Sequence, residues 1–448
     1  MMEPGAVTRL LTCPKQMTLL DKEWRYKGEG NANVVLSLPA DGKVVRVMKE
    51  ADDCDEETAT ATAETLLVRL RFFYAVKRLF FTDRRSVFPR CWHVDVPVPR
   101  RVAAEELREI DRLLRPDRPA GRKHKRLSCA AGLVAVCPDY TTLPPADEPS
   151  DDPTDVWCVE IKPKQGWVHE DDRDRARSTS AMCPFCVHQH LKLCRGDIRW
   201  PSRYCPLDMF SGRRERVRRA VGRLLPNPQN NLKIFVNGKP LVARDNGFLD
   251  AAGRAMGNVK RFCELVADAL LDDDSEPNGP SAADERDDDS DDDFWCFRSP
   301  TLGCDFRSVP MPRHCVLNEI LTMQRMQTTG FAAVCAEYDD ECARDPHQFG
   351  HVARLRDHDG QATVLSPVDG YLVAATARDC SVFVTFRLHR NSFGGFNRSE
   401  VLVRVSDLDP KPRSTVDKHR IRNAEVASAC QRYSVGNTIV RHIGPVPF

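Results

Sequence analysis

The stretch "WRYKGEGNANVVLSLPADGKVVRVMK", Trp24–Lys49, decides the reading of the fold. Its centre, "KGEGNAN" (Lys27–Asn33), is a Gly-rich turn. The runs "VVLSL" and "GKVVRVMK" that follow are short and rich in β-branched residues, which favours strands. Residues 22–50 therefore read as strand, glycine turn, strand, turn, strand. Gly28 and Gly30 fall between two strands. A dinucleotide fold needs its glycines to open a helix, so this turn argues against one.

A glycine turn between strands fits a flap laid over phosphates, as in protein-kinase-like lobes; a plain Gly-rich hairpin is the alternative. Arg46 bears on the choice. It sits mid-strand between apolar neighbours, where a charge is costly unless paired. A phosphate-holding cation belongs on that strand; an edge arginine facing water is the other reading. Beyond it, Leu66, Leu70, Phe73, Val76 and Phe80 recur at three- and four-residue steps, which predicts a long helix over 56–82. Residues 91–98 and 132–137 read as further strands.

The second informative stretch is "VWCVEIKPKQGW", residues 156–167. On an extended backbone Glu160, Lys162 and Lys164 point to one side, and Pro163 stiffens the chain between the lysines. Two ammonium groups held close repel unless an anion lies between them. A phosphate clasp and a solvated strand end both fit. Further on, 213–225 reads as a basic amphipathic helix. Residues 230–242 read as a hairpin turning at Asn237-Gly238. Residues 371–388 read as two strands around Arg378-Asp379, and 400–412 as a strand with Asp407 just past its end. Phosphoryl transfer needs one carboxylate to place or deprotonate the attacking hydroxyl and another to hold Mg²⁺. Asp379 and Asp407 suit those tasks, although aspartate is also common at turns.

"CPFCVHQH" (183–190) is Cys-x₂-Cys followed by two histidines, with Cys205 fifteen residues beyond it. Tetrahedral zinc closes on four such ligands. The expected set is Cys183, Cys186, His190 and Cys205, with His188 in reserve. Buried thiols and helix-face histidines are the alternative.

The chain has 448 residues, 41% hydrophobic and 29% charged, with a net charge of +1. That composition is globular, and any polyanion must be held by local clusters rather than the global field. No apolar run is long enough for a membrane span. "MMEPGAVTRLLTCPK" lacks the apolar core of a secretory signal. The 18 cysteines then read as reduced thiols plus a metal site, and the expected compartment is cytoplasm or nucleus. Residues 271–293 form an acidic insert expected to be disordered. "RPAGRKHKR" (118–126) and "SGRRERVRR" (211–219) are dense in cations, but neither carries the interleaved aromatics of a nucleic-acid patch.

Together "KGEGNANVVL", "VEIKPKQGW", "HQHLK", "YCPLDMFSG", "PQNNLKIFVNG", "ATARDCSVFVTF" and "DLDPKP" closely resemble the inositol-pentakisphosphate 2-kinases, in family order from about Trp24 to about Lys411. The resemblance implies an α/β (α+β) fold of two lobes, an inositol-phosphate-kinase fold distantly like the protein kinases. Residues 22–140 would form the N-terminal lobe and 141–448 the C-terminal lobe. It implies transfer of the ATP γ-phosphate to the 2-hydroxyl of inositol 1,3,4,5,6-pentakisphosphate, giving inositol hexakisphosphate, with Mg²⁺. The chain is expected to act as a monomer without a membrane, and nucleic acid is not the expected partner.

The resemblance also implies roles. The turn with Gly28, Gly30 and Asn33 would cover the nucleotide and Arg46 its phosphates. Val136–Tyr140, with Asp139, would hold adenine, and Glu160 the ribose. Lys162 would touch the transferred phosphoryl. Arg122, Lys164, Asn230 and Lys411 would bind substrate phosphates. Asp379 would orient or deprotonate the 2-hydroxyl, and Asp407 would hold Mg²⁺. Plant members carry a substrate lysine where Cys186 stands, and an arginine and a tyrosine where Thr415 and His419 stand. The Cys183–Cys186 grouping resembles the animal branch. Two rival readings are an inositol-polyphosphate-binding scaffold without turnover and a zinc-containing nucleic-acid binder.

Overall fold

The opening stretch folds as three antiparallel strands, β1 (Arg25–Glu29), β2 (Asn33–Leu38) and β3 (Lys43–Ala51). Val34, Leu36 and Leu38 turn inward along β2 while the residues between them stay half-exposed, the period-two pattern of a strand with one covered face. This is a computed structural model. It describes residues 14–51, 56–81, 92–129, 131–144, 155–173, 182–272, 304–342, 347–355, 365–388 and 401–435. The acidic run expected to be disordered, 271–293, lies outside them apart from its first two residues.

After β3 come α1 (Glu56–Phe80), β4 (Trp92–His93), β5 (Val98–Arg101), α2 (Ala104–Leu114), a 3-10 turn at Ala120–Arg122, β6 (Lys125–Leu127) and β7 (Leu133–Pro138). The first sheet runs β1-β2-β3-β7-β5, with β6 also on β3. Its core packs Val34, Leu36, Val45, Val47, Val134 and Val136 against Leu107, Ile110 and Leu114 of α2. The strand expected at 91–98 is two short strands in different sheets. Among the described residues β4 pairs in parallel with a strand of the second sheet, and β5 pairs with β7. Pro97 stands between them and breaks the run.

The second sheet follows with β8 (Val156–Ile161), α3 (Pro184–Arg195), α4 (Pro206–Met209), α5 (Arg214–Leu224), β9 (Leu232–Val236), β10 (Lys239–Pro240), α6 (Leu249–Met256) and α7 (Val259–Leu271). It is completed by α8 (Val316–Gln324), α9 (Phe331–Cys342), α10 (Gly350–Arg354), α11 (Pro367–Ala377), β11 (Ser381–Arg387), β12 (Val401–Ser406) and α12 (Thr415–Val435). The strand order is β10-β9-β8-β11-β12-β4. β8 is buried along its whole length, covered on both faces. The hairpin β9–β10 turns at Asn237 (φ 50°) and Gly238 (φ 76°), both left-handed as a two-residue turn requires.

Helix α1 joins the two halves. Leu66 and Leu70 pack on Met48, Leu133 and Ala135 of the first sheet. Phe72, Phe73 and Val76, further along, enter the core of the second.

Residues 371–377 form a helix, not a strand. Pro367 opens α11 and Ser366 Oγ accepts the Asp369 amide at 3.2 Å, an N-terminal cap that a strand reading overlooks. All of α11 from Val368 onward is buried, and apolar residues on nearly every side of it leave no clear 3.6-residue period. Asp379 accordingly sits at a helix-to-strand junction, its amide bonded to Thr376 O at 3.0 Å.

The helical half also hides a titratable group. His351 on α10 is fully buried edge-on to Phe72 of α1, at 5.7 Å between ring centroids. Neither ring nitrogen has a hydrogen-bond partner among the described residues. Burial pushes it down to about 4. It stays neutral in the folded protein while the unfolded chain takes up a proton near pH 6.5. The resulting loss is absent above pH 6.5, grows as pH falls, and is complete below about 4. It amounts to about 3 kcal/mol. Chemical denaturation at pH 7 and pH 4.5 should show falling stability, and His351→Leu should flatten that part of the slope.

Candidate active site

β8 ends at Ile161, and the chain immediately places Lys162 against a carboxylate from the far end of the sequence. Lys162 Nζ lies 2.9 Å from Asp407 Oδ2 and 2.8 Å from Ser381 Oγ. Ser381 opens β11 beside β8. Its hydroxyl accepts from Lys162 and lies 2.8 Å from Asp407 Oδ2 and 3.2 Å from Glu160 Oε1, so it donates to one carboxylate at a time. Arg46, crossing from β3 of the first sheet, donates to Asp407 Oδ1. Asp407 follows β12 directly with φ 59°. Glu160 is buried and also takes Lys233 Nζ at 3.2 Å.

The second carboxylate, Asp379, stands two residues before Ser381, whose hydroxyl bonds the first. Asp379 Oδ1 accepts from Lys164 Nζ at 3.0 Å, and Oδ2 accepts from Lys411 Nζ at 2.8 Å. Half of the Asp379 side chain stays exposed. Burial raises both carboxyls, but the cations win. Arg46 and Lys162 hold Asp407 far below the usual carboxylate range, and Lys164 and Lys411 do the same to Asp379. Burial alone would lower Lys162; Asp407 keeps it raised.

The two lysines of "KPK" do not share one extended face. Lys164 has φ 63°, a left-handed conformation that costs a residue with a Cβ about 1–2 kcal/mol. Buried partners hold it there. Tyr204 Oη donates to Pro163 O at 2.6 Å. Gln324 at the end of α8, fully buried, donates to Lys164 O at 2.8 Å and accepts the Gly166 amide at 2.8 Å. The loop thus turns Lys164 toward Asp379 while Lys162 faces Asp407. Strain of this kind gathers where side-chain placement matters for function.

The remaining expected residues lie around this centre. Gly28 has φ 153° and interrupts the β1–β2 register, and among the described residues no heavy atom stands within 4 Å of a Cβ built on it or on Gly30. Asn33, Arg46 and Asp409 line one cleft with Arg69 of α1, whose Nε has no hydrogen-bond partner among the described residues. Asp139, at the end of β7, is engaged by Lys27. That ammonium lies 2.7 Å from Asp139 Oδ2, 2.6 Å from Thr141 Oγ1 and 3.2 Å from Gly238 O, spanning from the glycine turn to the β9–β10 hairpin. Arg122 and Asn230 are not drawn to the two carboxylates. Arg122 donates to Asn31 of the glycine turn, and Asn230 is exposed before β9. Lys192 on α3 lies near enough to Lys164 that, after burial, the second charge further lowers its affinity for a proton. Like charges so placed suit an anion between them.

The cysteine site differs from the expected set in one ligand. The sulfurs of Cys183, Cys186, Cys205 and Cys304 all lie within 4.8 Å of one another. Cys183 and Cys205 are 3.8 Å apart, Cys205 and Cys304 3.7 Å. That is far too long for a disulfide. It matches the edge, about 3.8 Å, of a tetrahedron with metal–sulfur bonds of about 2.3 Å. His190 and His188 lie outside the group. Cys183 caps α3, Cys186 sits in its first turn, and Cys304 supplies the fourth thiol from the segment after the acidic insert. Cys304, carried in by a segment distant in sequence, takes the fourth position that the sequence reading gave to His190.

Four arginines of the basic helix α5 are engaged by acidic side chains. Arg216 bonds Asp208 and the carbonyls of Asp305 and Arg307, Arg214 pairs with Asp268, Arg218 with Glu215 and Arg223 with Asp208. A surface for nucleic acid needs cations that face solvent, and these are spent on the fold.

A family model described as inositol-pentakisphosphate 2-kinase matches residues 26–425. The chain belongs to the inositol-pentakisphosphate 2-kinase family. It is a kinase by that membership. It is similar to the inositol-pentakisphosphate 2-kinase of Danio rerio, 27% identical over 88% of this chain and 89% of the relative. The Arabidopsis thaliana inositol-pentakisphosphate 2-kinase is 26% identical over 96% of this chain and 98% of its own. The Drosophila melanogaster protein of the same name is 26% identical over 51% of this chain. The matched span contains the glycine turn, both carboxylates, their four cations and the four cysteines. No described helix is long and apolar enough to cross a membrane.

Proposed function

We propose that the chain transfers the γ-phosphoryl group of ATP to the 2-hydroxyl of inositol 1,3,4,5,6-pentakisphosphate, giving inositol hexakisphosphate. One observation carries the reading within the family. Two carboxylates, Asp407 bonded to Ser381 and Asp379 two residues before that serine, are each held between two cations, with Arg46 reaching across from the other sheet. In this reading the two sheets are the two lobes of a distantly protein-kinase-like fold, and the cleft between them takes both substrates.

The division of labour follows from the partners. Asp379 is the hydroxyl-facing carboxylate, because Lys164 and Lys411 are the cations suited to the ring phosphates around that hydroxyl. While both lysines clamp it, Asp379 is a poor base. Phosphates that draw the lysines away restore its basicity where the hydroxyl arrives. Arg46 and Lys162 turn from Asp407 toward the nucleotide phosphates in the same way, and Lys162 then faces charge developing on the phosphoryl group in flight. Asp407, freed of those cations, fits Mg²⁺, which when bound screens phosphate charge. Glu160 faces the ribose, the turn with Gly28, Gly30 and Asn33 covers the phosphates, and Arg122 and Asn230 extend the substrate contacts. Asp139, released by Lys27, borders the adenine.

Zinc fits the four thiols and serves the fold. It ties α3, α4 and the segment at Cys304 into one corner, beneath the Tyr204 that holds Pro163. Metal analysis of the purified protein should find one zinc per chain. Cys304→Ala should release it and lower the melting temperature, while His190→Ala should retain it; the opposite pattern restores the histidine as ligand.

The reaction is tested by incubating the protein with ATP, Mg²⁺ and the pentakisphosphate. A scaffold would bind the inositol phosphate and yield no hexakisphosphate.

A further inference from the structure

Glu29 stands between the two glycines of an exposed turn, yet its side chain is 1% exposed. Its carboxylate is saturated with donors. Oε1 accepts from Arg118 Nε at 3.0 Å and Tyr26 Oη at 3.3 Å. Oε2 accepts from Lys49 Nζ at 2.7 Å and Arg118 Nη2 at 3.0 Å. Lys49 and Arg118 side chains are equally buried. Burial alone would raise the carboxyl; Arg118 and Lys49 hold it below the usual range, so it is an anion in the folded protein.

The donors lead to two places. Lys49 also donates to Gly30 O at 2.5 Å, in the glycine turn. Arg118 Nη2 also donates to Arg122 O at 3.0 Å, in the 3-10 turn. The Arg122 guanidinium returns to Asn31 of the glycine turn. The result is a closed circuit in which one buried carboxylate fixes the backbone on both sides. Among the described residues no heavy atom lies within 4 Å of a Cβ built on either glycine. The position of the turn is therefore set from beneath, by the same group that sets the carbonyl of Arg122.

We propose that Glu29 and Arg118 are positioning residues that couple nucleotide binding to substrate binding, by linking the glycine turn to Arg122. The inference rests on the reading above, in which the turn covers nucleotide phosphates and Arg122 meets a phosphate of the inositol. A nucleotide that settles the turn also settles Arg122, and the pentakisphosphate finds its cation in place. A bidentate guanidinium is needed for this. A lysine ammonium offers its donors from a single point and lacks the planar fork that spans Glu29 Oε1, Glu29 Oε2 and the Arg122 carbonyl together.

The test is the affinity for the pentakisphosphate measured calorimetrically, with and without a non-hydrolysable ATP analogue. The parent protein should gain about tenfold from the analogue. Arg118→Lys should reduce that gain to under about twofold, a change that a loss of stability alone does not produce. Melting temperatures are recorded beside it. If Arg118→Lys does not fold, Asn31→Ala, an exposed change that cuts the other arm, should reduce the gain in the same direction. A parent protein without any gain overturns the coupling. So does a folded Arg118→Lys, or in its absence Asn31→Ala, that keeps the full gain. Arg122→Ala separates the two levels. If it weakens pentakisphosphate binding while the gain survives Arg118→Lys, only the coupling fails. If it leaves binding unchanged, the assignment of Arg122 fails and the coupling with it.

Discussion

Asp379→Asn lowers turnover by about a hundred- to ten-thousandfold and leaves nucleotide affinity within about threefold. The substitution keeps the shape and removes the proton acceptor. It also leaves Lys164 and Lys411 without their carboxylate, so both are free for phosphate before substrate arrives. The pentakisphosphate should bind as well as before or better, and the loss should appear in kcat. Single-turnover rates with nucleotide affinity measured in parallel check this. A nucleotide affinity lost together with turnover would show that Asp379 and Asp407 have been assigned the wrong way round.

Asp407→Asn has the opposite signature. Asp407 is the shared partner of Arg46, Lys162 and Ser381. Without its charge, two cations lose their counter-ion and Mg²⁺ loses its carboxylate. The value of kcat/KM should fall by about a thousandfold, roughly 4 kcal/mol. Metal-free nucleotide should bind no more weakly than to the parent protein, because Arg46 and Lys162 are released to its phosphates. A variant with turnover within about tenfold of the parent and the same Mg²⁺ dependence would contradict the role.

The parts of the site legible in the sequence were those with a local signature. The glycine turn between strands, the charged Arg46 inside an apolar strand and the aspartates at chain junctions are each visible as local features, and each stands where the structure gathers charge. The pairing of those charges is tertiary and leaves no trace in spacing. Lys162 and Lys164 looked alike as i and i+2. They part company because Gln324, from a helix distant in sequence, holds the loop in a left-handed turn. Cys304 could not be placed beside Cys205 because the acidic insert lies between them, and no ligand spacing spans such a gap. His190 took its place in the reading only because it was near in the chain. Ser381 and Lys27 are ordinary polar residues whose partners come from other strands. Helix α11 misled through burial on every side, which erases the period that distinguishes helix from strand.

The account stands most directly on one measurement: product analysis after incubation with ATP and Mg²⁺ across a panel of inositol phosphates that differ in which hydroxyls are free. The account predicts transfer to inositol 1,3,4,5,6-pentakisphosphate at the 2-hydroxyl, with hexakisphosphate as the product assigned by phosphorus NMR. Absence of any transfer at micromolar enzyme, or phosphorylation at another position of the ring, would contradict it.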